Sequence, residues 1–245
     1  GTLLDAAGQI PDSFWPVLDE LRARGVAVAP ASGRQLATLQ AIFPGDTFIA
    51  ENGTCVFHDG EIVSTTLLDD ATVHAVINVA LAADMDLVVC TPTVAYHRPG
   101  ISAETEAELA KYYHSRQATE NLHEVTDVIK LAAFTTDNAE ATIYPVLLDA
   151  APDANVVVSG AHWVDIMDAG AGKGRALEAL AGAMGVDKRQ TAAFGDYLND
   201  LELLEAAGTA WAMDNAHPDI KAIADHIAPP NTEAGVVTVL RALLD

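Results

Sequence analysis

Cysteine is scarce in these 245 residues: there are two, Cys55 and Cys90, far apart and outside any CxxC or Cys/His cluster. That scarcity excludes a disulfide scaffold or a zinc–thiolate site and leaves two buried free thiols as the expectation. Positive charge is scarce as well. Thirteen Lys and Arg stand against 35 Asp and Glu, a formal net charge of −22, and such a field repels nucleic acid and anionic membrane surfaces. It repels an anionic substrate too, so a phosphate ester is held only where local cations and a bound metal reverse the potential. Long apolar runs are also missing. The most apolar stretch, residues 73–89, is broken by His74, Asn78, Asp84 and Asp86, which rules it out as a membrane span. No secretory signal pattern is visible, and a cytoplasmic protein is expected. Glycine rather than methionine at position 1 suggests that something upstream has been removed or omitted.

What is present is the balance of a globular protein, 50% hydrophobic and 20% charged residues, at a length that suits a core with one insertion. Residues 11–25 read as a helix, with Asp12/Ser13 as cap, Pro16 in the first turn and Gly25 as stop. Residues 26–31 are continuously apolar, as in a strand buried on both faces, and residues 35–43 read helical again. Asp59-Gly60 between two apolar runs predicts a two-residue hairpin. From residue 68 to about 165 the pattern turns mixed, with helices over 71–83, 104–113 and 138–150 among strands at 87–90, 94–97, 128–135, 156–159 and 163–167. Regular alternation of helix and strand resumes from residue 173. The expectation is an α/β protein: a Rossmann-like parallel-sheet core over 1–66 and 169–245, with an α+β domain inserted over 67–168.

Three segments carry chemistry. Gly195-Asp196-Tyr197-Leu198-Asn199-Asp200 follows the apolar strand TAAF and opens a helix, which sets three polar side chains on its first turn at the carboxyl end of a strand, where ligands of open sheets bind. Asp196 offers the hard oxygen that Mg²⁺ requires, although a helix cap also explains it. Ser32-Gly33-Arg34 stands in a similar place, where the Ser32 hydroxyl and backbone N–H groups suit a phosphate oxygen; a plain cap explains Ser32 equally well. Gly170-Ala171-Gly172-Lys173-Gly174 sets one lysine among glycines at a helix start, a point charge with close backbone approach. It is neither a P-loop, since Met167 and Gly174 break that pattern, nor a dinucleotide fingerprint, since Arg175 takes the third glycine position.

Together with the opening Gly1-Thr2-Leu3-Leu4-Asp5, these segments resemble, in order and spacing, motifs one to four of the Cof-type phosphatases of the haloacid dehalogenase (HAD) superfamily, subclass IIB with a C2 cap. Glu51-Asn52-Gly53 and Met213-Asp214-Asn215-Ala216 extend the resemblance over nearly the whole chain. It implies a Mg²⁺-dependent phosphomonoester hydrolase for a small phosphorylated metabolite, a sugar phosphate or a cofactor precursor, working through an aspartyl-phosphate. The inserted domain becomes the cap that selects the substrate.

By motif position the resemblance implies that Thr2, Ser32, Gly33, Arg34 and Asn199 bind the phosphoryl group and that Lys173 neutralises it. Asp196 ligates Mg²⁺, and Asp200 supports the metal site. The family's first motif is Asp-x-Asp-Gly-Thr, which sets the acid/base aspartate just ahead of Gly1 and the nucleophile two positions earlier. Asp5 lies beyond the turn and is no substitute. A phosphate-ester-binding protein without turnover, or a phosphosugar mutase, is the alternative. The implied partner is a small phosphate ester and not nucleic acid or membrane, with the protein a monomer or weak homo-oligomer.

Several residues stay open between function and structure. Lys130, at the start of an apolar strand, either faces substrate or snorkels to solvent. His97 and Arg98 read as a solvated turn, Glu51 and Asn52 as a strand-end turn, and the Asn52-Gly53-Thr54 sequon as irrelevant without a secretory signal.

Overall fold

A computed structural model describes residues 1–245. In chain order the first elements are α1 (Phe14–Ala23), α2 (Leu36–Ile42), β1 (Thr47–Ala50), β2 (Cys55–His58), β3 (Glu61–Thr65), α3 (Asp70–Ala82), β4 (Asp86–Cys90) and β5 (Ala95–His97). Next come α4 (Ala103–Tyr112), β6 (Arg116–Ala118), β7 (Lys130–Phe134), α5 (Ala139–Thr142), α6 (Tyr144–Ala150), β8 (Asn155–Gly160) and β9 (Trp163–Met167). The chain closes with α7 (Lys173–Met184), β10 (Ala192–Gly195), α8 (Leu201–Ala206), β11 (Thr209–Met213), α9 (Pro218–Ile223), β12 (His226–Ala228) and α10 (Gly235–Leu244).

Two compact units emerge, one of Gly1–Pro30 with Gly172–Asp245, the other Ala31–Ala171. In the first, β10, β11 and β12 form a parallel sheet in that order. Ala193, Ala210 and Ala212 are buried on it, small enough to let α8 lie close against β10 and β11. On the alternate positions Phe194, Trp211 and His226 stand in register and stack, with ring centroids 6.0 Å and 4.4 Å apart. Phe14, Val17, Leu18 and Leu21 give α1 one fully buried face, as its 3–4 spacing dictates.

Two expectations fail in this unit. Residues 26–30 are extended but join no ladder, and only Ala31, in the other unit, makes an isolated parallel bridge, to Ile49. With no hydrogen-bonded neighbour the segment is not buried on both faces; Val26 is 46% exposed, and Pro30 has no N–H to pair. Ser13 stands at the N-cap position of α1, but its backbone is already helical and its side chain makes no capping bond.

In the second unit, β1, β2 and β3 form an antiparallel meander whose Asp59-Gly60 turn has the two positive φ angles of a tight hairpin, 50° and 85°. A six-stranded sheet of order β6-β5-β4-β7-β9-β8 comes next, antiparallel except between β5 and β6. Alternate residues Leu87, Val89, Leu131, Ala133, Val164 and Ile166 meet Val73, Val76 and Ile77 of α3 and Leu147 of α6 in one apolar cluster. Asp69, Ser102 and Asn138 cap α3, α4 and α5 through side-chain oxygens. The helix expected over 138–150 is two, because Pro145 in the first turn of α6 supplies no N–H to continue α5.

Residues 31–66 group with residues 67–171 rather than with the first unit, and side chains explain why. Gln35 exchanges two hydrogen bonds with the backbone of Ser115, at 2.7 Å and 2.9 Å, much as a strand neighbour does. Thr38 donates to the Tyr112 carbonyl at 2.8 Å. Both side chains are buried, so each bond forms where water cannot compete.

Cys55 and Cys90 are free and buried, as expected. Burial pushes the Cys55 thiol up to about 12, with the Glu51 carboxylate adding to the effect, and burial raises Cys90 further still. At pH 8 the Cys55 thiolate fraction is then on the order of one in ten thousand. The disulfide reagent DTNB should therefore label neither thiol in the native protein and both after denaturation; two fast-reacting native thiols would contradict this burial.

Candidate functional site

In the first unit the loops after β10 and β11 leave the carboxyl ends of neighbouring parallel strands, and the chemistry gathers there. Lys173 opens α7 and is 5% exposed; its ammonium donates to Asp200 Oδ1 at 2.6 Å. The other Asp200 oxygen accepts the Asp196 amide at 3.1 Å. This folds the loop back on itself and turns the Asp196 carboxylate toward the start of the chain, where the Thr2 hydroxyl donates to Oδ1. Asn215 in the β11 loop donates to the Gly1 carbonyl at 2.9 Å and accepts from the Asn231 amide at 2.9 Å. Asn231 in turn donates to the Leu4 carbonyl at 2.8 Å.

Gly172 and Gly174 serve this arrangement by letting α7 touch the Leu201–Ala206 helix. A Cβ at Gly174 would lie 2.5 Å from the Glu202 carbonyl oxygen, and one at Gly172 would lie 2.0 Å from the Glu202 carboxylate. The close approach that the sequence assigns to a phosphate is, at Gly174, the approach of one backbone to another and, at Gly172, the approach of the Glu202 side chain.

Thr2, Lys173, Asp196 and Asp200 thus form one connected group. The residues do not, however, share one face of an α-helical turn. Leu198–Asp200 is a 3₁₀ turn, which leaves Asn199 exposed while Asp200 is buried. Asp196 is no helix cap, its carboxylate being spent on Thr2. Ser32, Gly33 and Arg34 belong to the other unit. There the Ser32 hydroxyl accepts the Arg34 amide at 3.2 Å, and Gln35, not Ser32, occupies the N-cap position of α2.

The second unit holds a buried ionic group. Lys130 is 2% exposed and Glu51 1%; the two form an ion pair, so Lys130 does not snorkel. Tyr113 lies beneath the ammonium, with its ring centroid 5.4 Å away, and Asp165 is buried nearby on β9. Burial raises the Glu51 carboxyl against the opposing pull of Lys130. Burial alone would lower Lys130, but Glu51, Tyr113 and Asp165 outweigh it and hold the ammonium well above its ordinary range. Arg98 pairs with Asp84 at 3.0 Å instead of lying free in a turn.

Sequence reasoning missed the roles of Gln35, Glu202 and Asn231, and no spacing signal marks them. Asn215 lay in a recognised motif without an assigned part.

No three or more His, Cys, Asp or Glu side chains gather in a way that could hold a metal ion, which is unlike a closed zinc site. The donor chemistry of the Asp196 loop fits Mg²⁺, which takes one or two carboxylates and fills its remaining positions with water and substrate oxygens. No helix is long and apolar enough to cross a membrane.

Residues 1–240 match the family model of haloacid dehalogenase-like hydrolases. The 5-amino-6-(5-phospho-D-ribitylamino)uracil phosphatase YbjI of Escherichia coli is 27% identical, over 95% of this chain and 89% of that protein. A crystal structure from Eubacterium rectale superposes with a TM-score of 0.88 at 27% identity, covering 99% of this chain and 96% of the other. The HAD subclass IIB sugar phosphatase BT4131 shares the fold, with a TM-score of 0.79 at 22% identity over 99% and 95% of the two chains.

The Lys173–Asp200 pair predicts a stability effect. Asp200→Asn leaves a buried ammonium without its counter-ion and should destabilise the protein by about 3–5 kcal/mol. Gly174→Ala, pressed against a carbonyl that cannot step aside, should cost about 1–3 kcal/mol. Urea unfolding of the two variants checks both; wild-type midpoints would refute the contacts described.

Proposed function

Because the chain belongs to the haloacid dehalogenase-like hydrolases, we propose that it is a Mg²⁺-dependent phosphatase that hydrolyses a small phosphate monoester. The observation that supports this most is the connected group Thr2–Asp196–Asp200–Lys173, gathered on the loop at the carboxyl end of the parallel strand β10. In this reading residues 1–66 and 169–245 form the core and 67–168 the cap that selects the substrate. The protein works in the cytoplasm as a monomer or weak homo-oligomer.

Each residue has a part that its surroundings suit. Lys173, charged and fixed by Asp200, offsets the negative charge of the transferred phosphoryl group at close range, inside a molecule whose overall field opposes anions. In this reading Thr2 through its backbone N–H, Ser32 through its hydroxyl or backbone, the turn through Gly33 and Arg34, and the exposed Asn199 amide contribute hydrogen bonds to phosphoryl oxygens. Asp196 holds Mg²⁺, and Asp200 keeps the Asp196 loop in place. When bound, Mg²⁺ supplies the divalent charge that lets a carboxylate approach a dianionic ester. The reading includes the family's aspartyl-phosphate route, in which a carboxylate displaces the ester oxygen from phosphorus and water then cleaves the acyl phosphate to release inorganic phosphate.

The substrate class is argued from the relatives. An E. coli relative is named for a phosphorylated ribityl-aminouracil, a molecule that carries a sugar-alcohol phosphate. We place this protein's substrate among phosphorylated polyols and sugars.

The test is release of inorganic phosphate from a panel of sugar and polyol phosphates by the full-length protein, with Mg²⁺ and with EDTA. Metal-dependent release is expected, and Lys173→Met should lower kcat by about 100- to 1,000-fold. Asp196→Asn should weaken Mg²⁺ binding measured by calorimetry. No release across the panel, or Mg²⁺ affinity untouched by Asp196→Asn, would overturn the reading.

A further inference from the structure

The turn that carries Ser32 is held by an unusual neighbour. Glu51, Asn52 and Gly53 succeed one another with φ of 50°, 57° and 97°. Three successive left-handed residues, the first a glutamate, persist only where the surroundings over-determine them. Their amides hold the carbonyls of the Ser32 turn: Asn52 N–H donates to Ser32 O at 3.0 Å and Glu51 N–H to Arg34 O at 3.0 Å. The Ser32 amide donates to Ile49 O at 2.9 Å. The Asn52 carboxamide lies over Gly33, where a Cβ would come within 2.9 Å of it. A trans peptide directs its C=O and N–H to opposite sides. Fixing the Ser32 carbonyl toward Asn52 therefore turns the Gly33 N–H the other way, while the Ser32 hydroxyl accepts the Arg34 amide at 3.2 Å and keeps its own proton to donate.

The Glu51 carboxylate anchors this strained segment, and Lys130 anchors the carboxylate. A buried ion pair is a poor way to add stability, since apolar side chains of similar volume do as well or better. Here it holds a turn on which predicted phosphate contacts depend. Glu51 Oε1 and Asn52 Oδ1 are buried without a donor, a cost that packing alone does not explain.

We infer that Glu51 and Lys130 are positioning residues, whose buried pair holds the Glu51-Asn52-Gly53 segment so that the Gly33 N–H and the Ser32 hydroxyl are set to receive a phosphoryl oxygen. This rests on the phosphatase reading above. Lys130, though it opens a strand in the segment assigned to the cap, then acts on phosphate binding common to all substrates and not on the choice among them.

The experiment compares wild type with Glu51→Gln/Lys130→Met, which removes both charges and strands neither, in the full-length Mg²⁺-loaded protein. Calorimetry gives the Kd of inorganic phosphate, and steady-state kinetics gives kcat and KM for several esters with different leaving groups. The expected result is a phosphate Kd weaker by about tenfold, the loss of about one hydrogen bond to a charged group. KM should rise by a similar factor for every ester, with their ranking kept. Ser32→Ala added to the double variant should cost less than Ser32→Ala alone, because the two changes act through one contact. An unchanged phosphate Kd overturns the inference, and so does a re-ordered ester ranking with phosphate binding intact, which would make Lys130 a specificity residue. Should the double variant not fold, Glu51→Asn tolerates the left-handed backbone but cannot reach Lys130, and the same outcomes decide. Wild type that neither binds phosphate nor cleaves any ester fails the phosphatase reading itself; a working wild type with an unaffected variant fails only this inference.

Discussion

An ammonium group placed where water cannot reach it must find a counter-charge or give up its proton, and Lys173 finds Asp200. The rest of the first unit's chemistry is arranged around that contact. Asp200 has one oxygen left, and with it receives the Asp196 amide; the Asp196 carboxylate is thereby directed to Thr2. Segments remote in sequence are thus tied through one short chain of hydrogen bonds. Removing the central carboxylate would release the lysine, the loop and the threonine together.

The second unit repeats the device with different parts. Lys130 and Glu51 are likewise buried and paired, and again the carboxylate that meets the lysine belongs to a loop, here one with successive positive φ angles. In a chain with 13 basic side chains against 35 acidic ones, two of the lysines are withdrawn from the surface. A cation under low dielectric acts on its neighbours far more strongly than one in solvent, so few cations suffice if they are placed inside.

Much of this was legible in the sequence for a plain reason: the signals were local. Apolar periodicity located α3, α4, α7 and five of the six strands of the large sheet, and Asp59-Gly60 gave the hairpin. Motif spacing brought Lys173, Asp196 and Asp200 forward before any contact between them was visible. What stayed hidden depends on partners distant in the chain. Residues 26–30 look like a buried strand because apolarity is local, whereas a ladder neighbour is not. Arg116–Ala118 and His226–Ala228, short edge strands with little apolar pattern, gave no signal. Lys130 appeared headed for solvent because nothing near it in sequence reveals Glu51, and Gln35 could not be seen to mimic a strand neighbour for Ser115.

The two glycines flanking Lys173 have a consequence beyond the space they save. Flexibility is the usual reading of glycine beside a lysine, yet here Gly174 lies close against the Glu202 backbone and Asp200 holds the ammonium, so the charge is held at a set depth before any ligand arrives. A side chain already immobilised has little disorder left to surrender when an anion binds. The fold has met that entropic cost during its own assembly, and the affinity of the lysine for an incoming dianion is correspondingly undiminished.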